Sequence, residues 1–226
     1  MKKYLILFLA LCIIQPVFAT LADENEIQSK IDYVGTKLLN TNKIQKRIIF
    51  TYDANNKKNI LSSDKTLTQR QIVIYDGLYQ SVQNEDELAG MLARQIAIAV
   101  KSYRGIWGGL IDSAQVALSS KKFELYADKR AVDYMVNAGY DPLGLIVFIN
   151  KTAPQKRSDI ISRHNLTSKR LARIYEYIYF KYPDYLSNTT YLDNQYYQNF
   201  LLNSVDNRKK LYEKIENKST KDVKYE

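Results

Sequence analysis

Glu124, Asp128 and His164 carry atoms that bind metal ions, and they are the first candidates for chemistry. Glu124 supplies a carboxylate, and His164 is the single histidine of the chain. A carboxylate and one imidazole can hold a metal ion loosely if another acidic or amide side chain joins them, and Asp128 is a candidate for that third ligand. A simpler interpretation places His164 in a turn, where it bonds nearby backbone, and gives Asp128 a hydrogen bond between helices that fixes the helix of Glu124.

A second candidate site lies upstream, where Asn84–Ala93 reads NEDELAGMLA and Arg94–Ile98 reads RQIAI. The first segment closely resembles the approach to the zinc helix in the CAAX-prenyl-protease-like zinc metallopeptidases. This family of HExxH gluzincins includes periplasmic proteases that maintain the outer membrane. In the family the next five residues are H-E-x-x-H. The resemblance therefore implies a zincin-like domain whose HExxH motif is degenerate.

The resemblance extends over roughly residues 27–173 of the chain. Phe123–Asp128 (FELYAD) resembles the family's E-x-x-A-D segment, which implies that Glu124 occupies the position of the third zinc ligand. His164–Thr167, together with Arg170, resembles an H-P-x-x-x-x-R segment near the cleft, with an asparagine instead of the proline. Because these landmarks occur in the family's order, the resemblance implies the family's fold.

Coordination chemistry decides what the altered motif can do. A catalytic zinc ion needs three protein ligands and an open position for water. Arg94 has no lone pair to give a metal and Ile98 has no donor atom, so both ligands expected from this helix are lost. Gln95 replaces the glutamate that takes a proton from metal-bound water, and an amide is not basic near neutral pH. We therefore expect no cofactor and only a vestigial site, made of Arg94, Gln95, Ile98 and Glu124, with Asp128, His164 and Arg170 as neighbours in the cleft.

Loss of the metal leaves the charge of Glu124 to be balanced. If Glu124 keeps the family position, its carboxylate is buried without a cation, which is costly unless another positive group pairs with it. Arg94 is the natural partner, because its guanidinium can reach into the vacated position and contact Glu124 with two prongs. The alternative is that Arg94 extends to the mouth of the cleft and keeps its charge in water.

Hydrophobic spacing predicts the elements that position these residues. A repeat at steps of three or four from Ile27 to Leu38 predicts an amphipathic helix. Two β-branched and aromatic runs, Arg47–Tyr52 and Gln71–Tyr75, predict the strands of a small sheet. The second run stands where the family has its edge strand, although the family's N-A-x-x-x-P-G-G approach to that strand is missing.

The clearest helix prediction runs from Asn84 to about Tyr103, with Asn84 as the N-cap and Glu87 at the capping-box position. Gly139 is placed to take a left-handed cap, and Pro142 to open the next helix. The predicted fold is α+β and mainly helical, with the small sheet packed against the degenerate zinc helix. Further helices are predicted at about Asp112–Asn137, Pro142–Lys151, Ser168–Tyr182 and Asn194–Asn217, followed by a polar tail, residues 217–226, that we expect to be frayed.

The first nineteen residues have the three parts of an export signal. Lys2 and Lys3 form the basic start, Tyr4–Ile14 is the apolar run, and Val17–Ala19 has small residues where signal peptidase needs them. We therefore predict cleavage after Ala19 and a periplasmic or secreted protein. The apolar run is too short to cross a bilayer comfortably.

Residues 20–226 are predicted to form a single peptidase-like domain. Cys12 is the only cysteine, so this domain has no disulfide. Lipid attachment at Cys12 is a rival interpretation of the leader, opposed by the bulky residue before it. The formal net charge of +9 includes two lysines of the leader, and the positive residues are spread along the chain, so no nucleic-acid partner is predicted.

Three functions remain open from the sequence. The first is an exported pseudopeptidase that binds an unfolded or extended polypeptide along the strand Gln71–Tyr75, and the resemblance suggests envelope-protein quality control or outer-membrane assembly as its setting. The second is an active zinc metalloendopeptidase with a noncanonical site built on Glu124, His164 and Asp128. The third is a basic cell-envelope protein that adheres to an anionic membrane or to the cell wall. Eight tyrosines from Tyr175 to Tyr197 fit peptide or sugar binding, but packing is the commoner use of such rings.

Overall fold

The computed structural model describes residues 23–58, 71–102, 120–153, 166–187 and 189–226. These residues form a mainly helical α+β fold with one small sheet, as the hydrophobic spacing predicts. Helix α1 covers residues 23–41. In chain order there follow β1 (Ile49–Asp53), β2 (Gln71–Tyr75), α2 (Asp76–Tyr79), α3 (Glu85–Ser102), α4 (Ser120–Asn137), α5 (Leu143–Thr152), α6 (Thr167–Lys181), the 3-10 turns Pro183–Ser187 and Thr189–Tyr191, α7 (Gln195–Asn203) and α8 (Val205–Glu216).

The two strands pair in parallel, with Ile49 opposite Gln71 and Asp53 opposite Tyr75. The outer edge of β1 is occupied by a side chain of α1. The Gln28 Nε2 atom donates to the Phe50 carbonyl at 3.1 Å, and its Oε1 atom accepts from the Tyr52 amide at 2.7 Å. One glutamine thus substitutes for a neighbouring strand on that side of the sheet.

The start of α3 follows the predicted capping pattern with one shift. The Asn84 Oδ1 atom accepts from the Glu87 amide at 2.9 Å, which makes Asn84 the N-cap. The Glu87 carboxylate reaches back to the amide of Gln83, at 3.1 Å, and not to that of Asn84. The same carboxylate forms a buried ion pair of 2.7 Å with Lys151, which joins the end of α5 to the start of α3.

Two glycines allow α3 and α5 to cross at close range. A Cβ atom on Gly90 would lie 3.0 Å from the Cα of Leu145, and one on Gly144 would lie 2.7 Å from the Cβ of Asp86. The body of α3 is almost entirely buried, as its apolar composition predicts, and α3 packs on both α4 and α5. Residues of α1, the sheet, α3, α5 and α6 belong to one hydrophobic core. The predicted left-handed position of Gly139 is also confirmed, with φ of +76°.

The predicted helix Asn194–Asn217 is wrong in one respect, because it is two helices that meet at Ser204. At the end of α7 the Ser204 amide donates to the Phe200 carbonyl at 2.9 Å. The Ser204 carbonyl accepts the first hydrogen bond of α8, from the Arg208 amide at 2.8 Å. The Arg208 guanidinium also donates to the Leu201 carbonyl, which satisfies a backbone group at the end of α7. No glycine or proline lies at this break, where the Arg208 side chain caps the end of α7.

The tail, residues 217–226, is not frayed as predicted. Tyr225 is buried, and the backbone of Glu226 exchanges two hydrogen bonds with the Asn207 side chain. Polar composition favours fraying, but here specific contacts with α6 and α8 outweigh it.

Several predictions concern residues outside the described ranges. These are the leader with its cleavage point and Cys12, the start of the predicted helix at Asp112, and His164 with its neighbouring asparagine. Among the helices of the described ranges, none is long and apolar enough to cross a membrane.

Candidate functional site

Four charged side chains from three helices meet in the interior of the molecule. Arg94 comes from α3, Glu124 and Asp128 come from α4, and Arg170 comes from α6. Glu124 and Asp128 are four residues apart, so they lie on the same face of α4, one turn from each other. We call these four residues the charge cluster.

Asp128 is the centre of the charge cluster. Its Oδ1 atom accepts hydrogen bonds from Arg94 Nε and Arg170 Nη2, both at 2.9 Å, and its Oδ2 atom accepts one from Arg170 Nε at 2.9 Å. Arg170 therefore holds Asp128 with two parallel hydrogen bonds, the strongest geometry for this pair. The carboxylate of Asp128 joins α3, α4 and α6 through a single group.

Glu124 lies farther from the two guanidinium groups. Its Oε1 atom is 3.4 Å from Arg170 Nη1 and 3.8 Å from Arg94 Nη2. These distances are ion pairs without the short hydrogen bonds that Asp128 makes. Toward Arg94 and Arg170, Glu124 thus acts through electrostatic attraction at longer range than Asp128 does.

The charge cluster is deeply buried and has no net formal charge. The exposed fractions of the side chains are 11% for Arg94, 9% for Arg170, 6% for Glu124 and 1% for Asp128. The formal charges of two guanidinium groups balance those of two carboxylates. Each charge depends on its partners, because burying one ion without a partner costs on the order of several kcal/mol of folding free energy.

The pKa of Asp128 reflects this dependence. Burial by itself raises the pKa of the Asp128 carboxyl, but the charges and hydrogen bonds of Arg170 and Arg94 outweigh it and hold the pKa below its ordinary value. For Arg94, burial and repulsion from Arg170 lower the pKa, and the two carboxylates oppose this effect. An arginine pKa starts so high that the guanidinium remains charged.

The expected pairing of Arg94 with Glu124 is therefore correct in location and wrong in detail. Arg94 does not extend into water, since it is buried at the position that the resemblance assigns to the zinc ligand. Its short hydrogen bond goes to Asp128, and the two-pronged contact belongs to Arg170. The simple interpretation of Asp128, a hydrogen bond that joins helices, is confirmed.

The other two altered motif positions, Gln95 and Ile98, are also buried. Ile98 packs with Ala97 and Ala127 in a small apolar cluster between α3 and α4. Gln95 is 3% exposed, and neither its Oε1 nor its Nε2 atom has a hydrogen-bond partner within the described part of the chain. A buried amide without partners is uncommon and destabilising, by about 1–3 kcal/mol.

The residues of this site do not fit a zinc ion. Both carboxylate oxygens of Asp128 already accept hydrogen bonds from guanidinium groups, and the positive charges of Arg94 and Arg170 repel a metal cation. Neither Arg94 nor Ile98 has a lone pair that could bind a metal ion. In the described ranges no group of three or more histidine, cysteine, aspartate and glutamate side chains is arranged to hold a metal ion.

The tyrosines of α6 serve packing and hydrogen bonding. Tyr175 is buried, and the hydroxyl groups of Tyr177 and Tyr182 both donate to the Asp133 carboxylate at 2.8 Å. Lys181 donates to the same carboxylate at 2.7 Å. These rings lie with their hydroxyls at the boundary of the core, as in the commoner use of such stripes.

Sequence reasoning missed the central role of Arg170. In the sequence Arg170 is only the end of a segment near the cleft, and no spacing rule connects it with Asp128, since 42 positions separate them. The available signal was the excess of buried charge, because two carboxylates on one face of α4 require two cations and Arg94 supplies only one. His164, predicted to lie nearby, falls outside the described residues.

No protein-family model, no curated protein and no solved structure matches the chain.

Proposed function

We propose that this chain is an exported pseudopeptidase with a zincin-like domain of the CAAX-prenyl-protease type. In this proposal the charge cluster replaces the catalytic metal centre, and the protein binds polypeptide without cleaving it. Envelope-protein quality control or outer-membrane assembly is the proposed setting. The proposal for export depends on the leader, residues 1–19.

One observation carries the proposal that the protein is not catalytic. Arg94 stands where the motif would have its first zinc ligand, and its guanidinium is hydrogen-bonded to Asp128 at 2.9 Å. A fixed internal cation in that position performs the electrostatic task of a metal ion, which is to balance the carboxylates of α4. It offers no Lewis acidity and no activated water.

The same geometry argues against a noncanonical zinc site. Such a site would need the Asp128 carboxylate as a ligand together with Glu124 and His164. To bind a metal, Asp128 would have to release three hydrogen bonds of 2.9 Å from two buried guanidinium groups. Those groups would then be left unpaired in the interior, which is strongly unfavourable.

The proposed polypeptide site is the outer edge of β2. The outer edge of β1 is already occupied by Gln28. Among the described residues, β1 is the only strand that pairs with β2. Ile72 and Ile74 are buried in the core, while Val73, between them, is half-buried and faces the other way. An extended polypeptide added to β2 would gain main-chain hydrogen bonds irrespective of its sequence.

Photo-crosslinking tests the proposed binding edge. We would place a benzophenone amino acid at Val73 in one sample of residues 20–226 and at Leu202, which is 71% exposed on α7, in a matched control. Each sample is mixed with a permanently unfolded, fluorescently labelled polypeptide such as reduced α-lactalbumin. We expect crosslinks from position 73 only, and no cleavage products in mass spectra. Equal crosslinking from both positions would contradict the binding edge, and cleavage abolished by a chelator would contradict the pseudopeptidase.

A further inference from the structure

The last residues of the chain lie in a groove between α6 and α8. Tyr225 is 6% exposed, and its ring lies 4.9 Å from the Arg173 guanidinium. The Arg173 Nη2 atom donates to the Val223 carbonyl at 2.7 Å. An arginine of α6 therefore binds this extended segment through both a side chain and the backbone.

On the other side of the groove, Asn207 of α8 recognises the main chain of Glu226. The Asn207 Oδ1 atom accepts from the Glu226 amide at 3.0 Å, and its Nδ2 atom donates to the Glu226 carbonyl at 2.8 Å. Asn207 itself is only 6% exposed. A buried side-chain amide that pairs with both backbone groups of one residue binds an extended backbone in the way that a neighbouring strand does.

Charge adds selectivity at the same position. The Lys210 Nζ atom lies 2.7 Å from the Glu226 carboxylate, and this contact lowers the pKa of Glu226. Lys210 therefore favours an acidic residue directly after the aromatic one. Because the Glu226 side chain is 87% exposed, solvent screens this pair, and its preference for an acidic residue is small.

The floor of the groove is held by two ion pairs among residues of its own helices. Glu176 of α6 accepts from Arg173 Nη1 at 3.0 Å and from Lys214 Nζ at 2.9 Å. These bonds hold Arg173 in position and join α6 to α8. Arg173 thereby keeps its guanidinium directed at the tail, which it contacts at Val223 and Tyr225.

We propose that the α6–α8 groove is a recognition site for an extended peptide in which an aromatic residue precedes an acidic one. Residues 222–226 occupy it as an intramolecular ligand, and a polypeptide with the same pattern in another molecule displaces them. The groove shares no residue with the charge cluster or with β2. The inference is therefore independent of the proposed function and can fail without affecting it.

The test uses the full chain, residues 20–226, with its tail loosened by Tyr225→Ala, and a labelled peptide with the sequence of residues 219–226. Binding is measured by fluorescence anisotropy. We expect the variant to bind the peptide at least about tenfold more tightly than the natural protein, whose own tail competes at an effective concentration in the millimolar range. Tyr33→Ala, which removes an exposed ring on α1, is the matched control and should behave as the natural protein does. Equal binding by all three proteins, or binding by none, would overturn the proposal.

A charge exchange keeps the test decisive if Tyr225→Ala does not fold. Glu226→Lys alters a side chain that is almost fully exposed, so it leaves folding intact while it repels Lys210 and loosens the tail. We expect this variant to bind the peptide more tightly than the natural protein. Addition of Lys210→Glu should restore the tail contact and exclude the peptide again. If Glu226→Lys leaves peptide binding unchanged, the tail is only a structural part of the fold and the proposal is wrong.

Discussion

The guanidinium of Arg170 and the carboxylate of Asp128 meet in two parallel hydrogen bonds of 2.9 Å, between helices that are far apart in the sequence. Asp128 also accepts from Arg94, so one carboxylate joins three helices. Where the sequence resembles a zinc-binding motif, the described structure has a network of internal ion pairs. The stability of the packing between these helices therefore depends on each of the four residues.

Removal of a single member of the charge cluster should be strongly destabilising. Asp128→Ala leaves two buried guanidinium groups with only the more distant Glu124, and we expect a loss of about 3–5 kcal/mol in the free energy of unfolding. Urea denaturation measures the loss. Asp222→Ala, which removes a carboxylate that is 93% exposed, is the control and should change stability by less than about 0.5 kcal/mol. A loss below about 1 kcal/mol for Asp128→Ala would show that the network does not hold these helices together.

Replacement of the whole charge cluster should have a different effect. In the variant Arg94→Met, Glu124→Leu, Asp128→Leu, Arg170→Met, all four charges of the cluster are removed together, and apolar side chains fill most of the same volume. Buried ion pairs gain little over such replacements, so we expect a folded protein with stability equal to the natural one or higher by about 1–4 kcal/mol. Circular dichroism and urea denaturation provide the comparison. A variant less stable than Asp128→Ala alone would contradict this explanation.

Gln95 is a position where the natural residue is predicted to reduce stability. Its amide is buried and without hydrogen-bond partners within the described ranges, so Gln95→Met, which keeps the length of the side chain, should raise the free energy of unfolding by about 1 kcal/mol or more. Gln71→Met is the matched control, because the Gln71 amide donates to the Thr51 hydroxyl at 2.8 Å. The control should lose about 0.5–1.5 kcal/mol. If Gln95→Met destabilises as much as Gln71→Met does, then Gln95 has a partner that this account lacks.

Asp141 should make the protein less stable as the pH rises from about 4 to about 6. Burial raises the pKa of this carboxyl to about 6, and the charge of Asp86 adds to the shift against a hydrogen bond from the Leu143 amide. Because the folded protein holds this proton more tightly than the unfolded chain, ionisation costs stability across that interval. Asp141→Asn keeps an acceptor for Leu143, so it should flatten this part of the pH profile and raise stability at pH 7 by at least about 1 kcal/mol.

Thermal denaturation at several pH values checks this prediction. Asp193→Asn, at an exposed position, is the control and should leave the profile of the natural protein unchanged. Identical profiles for Asp141→Asn and the natural protein would mean that Asp141 titrates normally.

The local elements of the fold were predictable because they depend on short-range patterns. The spacing from Ile27 to Leu38 gives α1, and the caps at Asn84 and Gly139 follow from side-chain and backbone chemistry within a few residues. The break at Ser204 was not predictable from these patterns, because no glycine or proline marks it and only a side chain, that of Arg208, caps the end of α7 there. The docked tail was missed for a similar reason, since its contacts with Arg173 and Asn207 are distant in sequence.

The charge cluster could be predicted only in part. The residue types at positions 94 and 98 exclude zinc coordination there, and the one at position 95 excludes a general base. Both conclusions follow from side-chain chemistry alone. Which carboxylate Arg94 would choose depends on how α3, α4 and α6 pack. Glu124 and Asp128 are one turn apart on the same face, and the arrival of Arg170 from α6 makes Asp128 the centre.

Bound zinc in the purified protein tests the central claim most directly. Residues 20–226 would be prepared without a histidine tag, alongside the triple variant Arg94→His, Gln95→Glu, Ile98→His, and both analysed for metal after exposure to zinc and dialysis. We predict that the natural protein holds no stoichiometric zinc and that the variant takes up about one ion per molecule, because the three changes supply two nitrogen ligands beside Glu124. A full equivalent of zinc in the natural protein would contradict the account, since the charge cluster leaves no ligands for it.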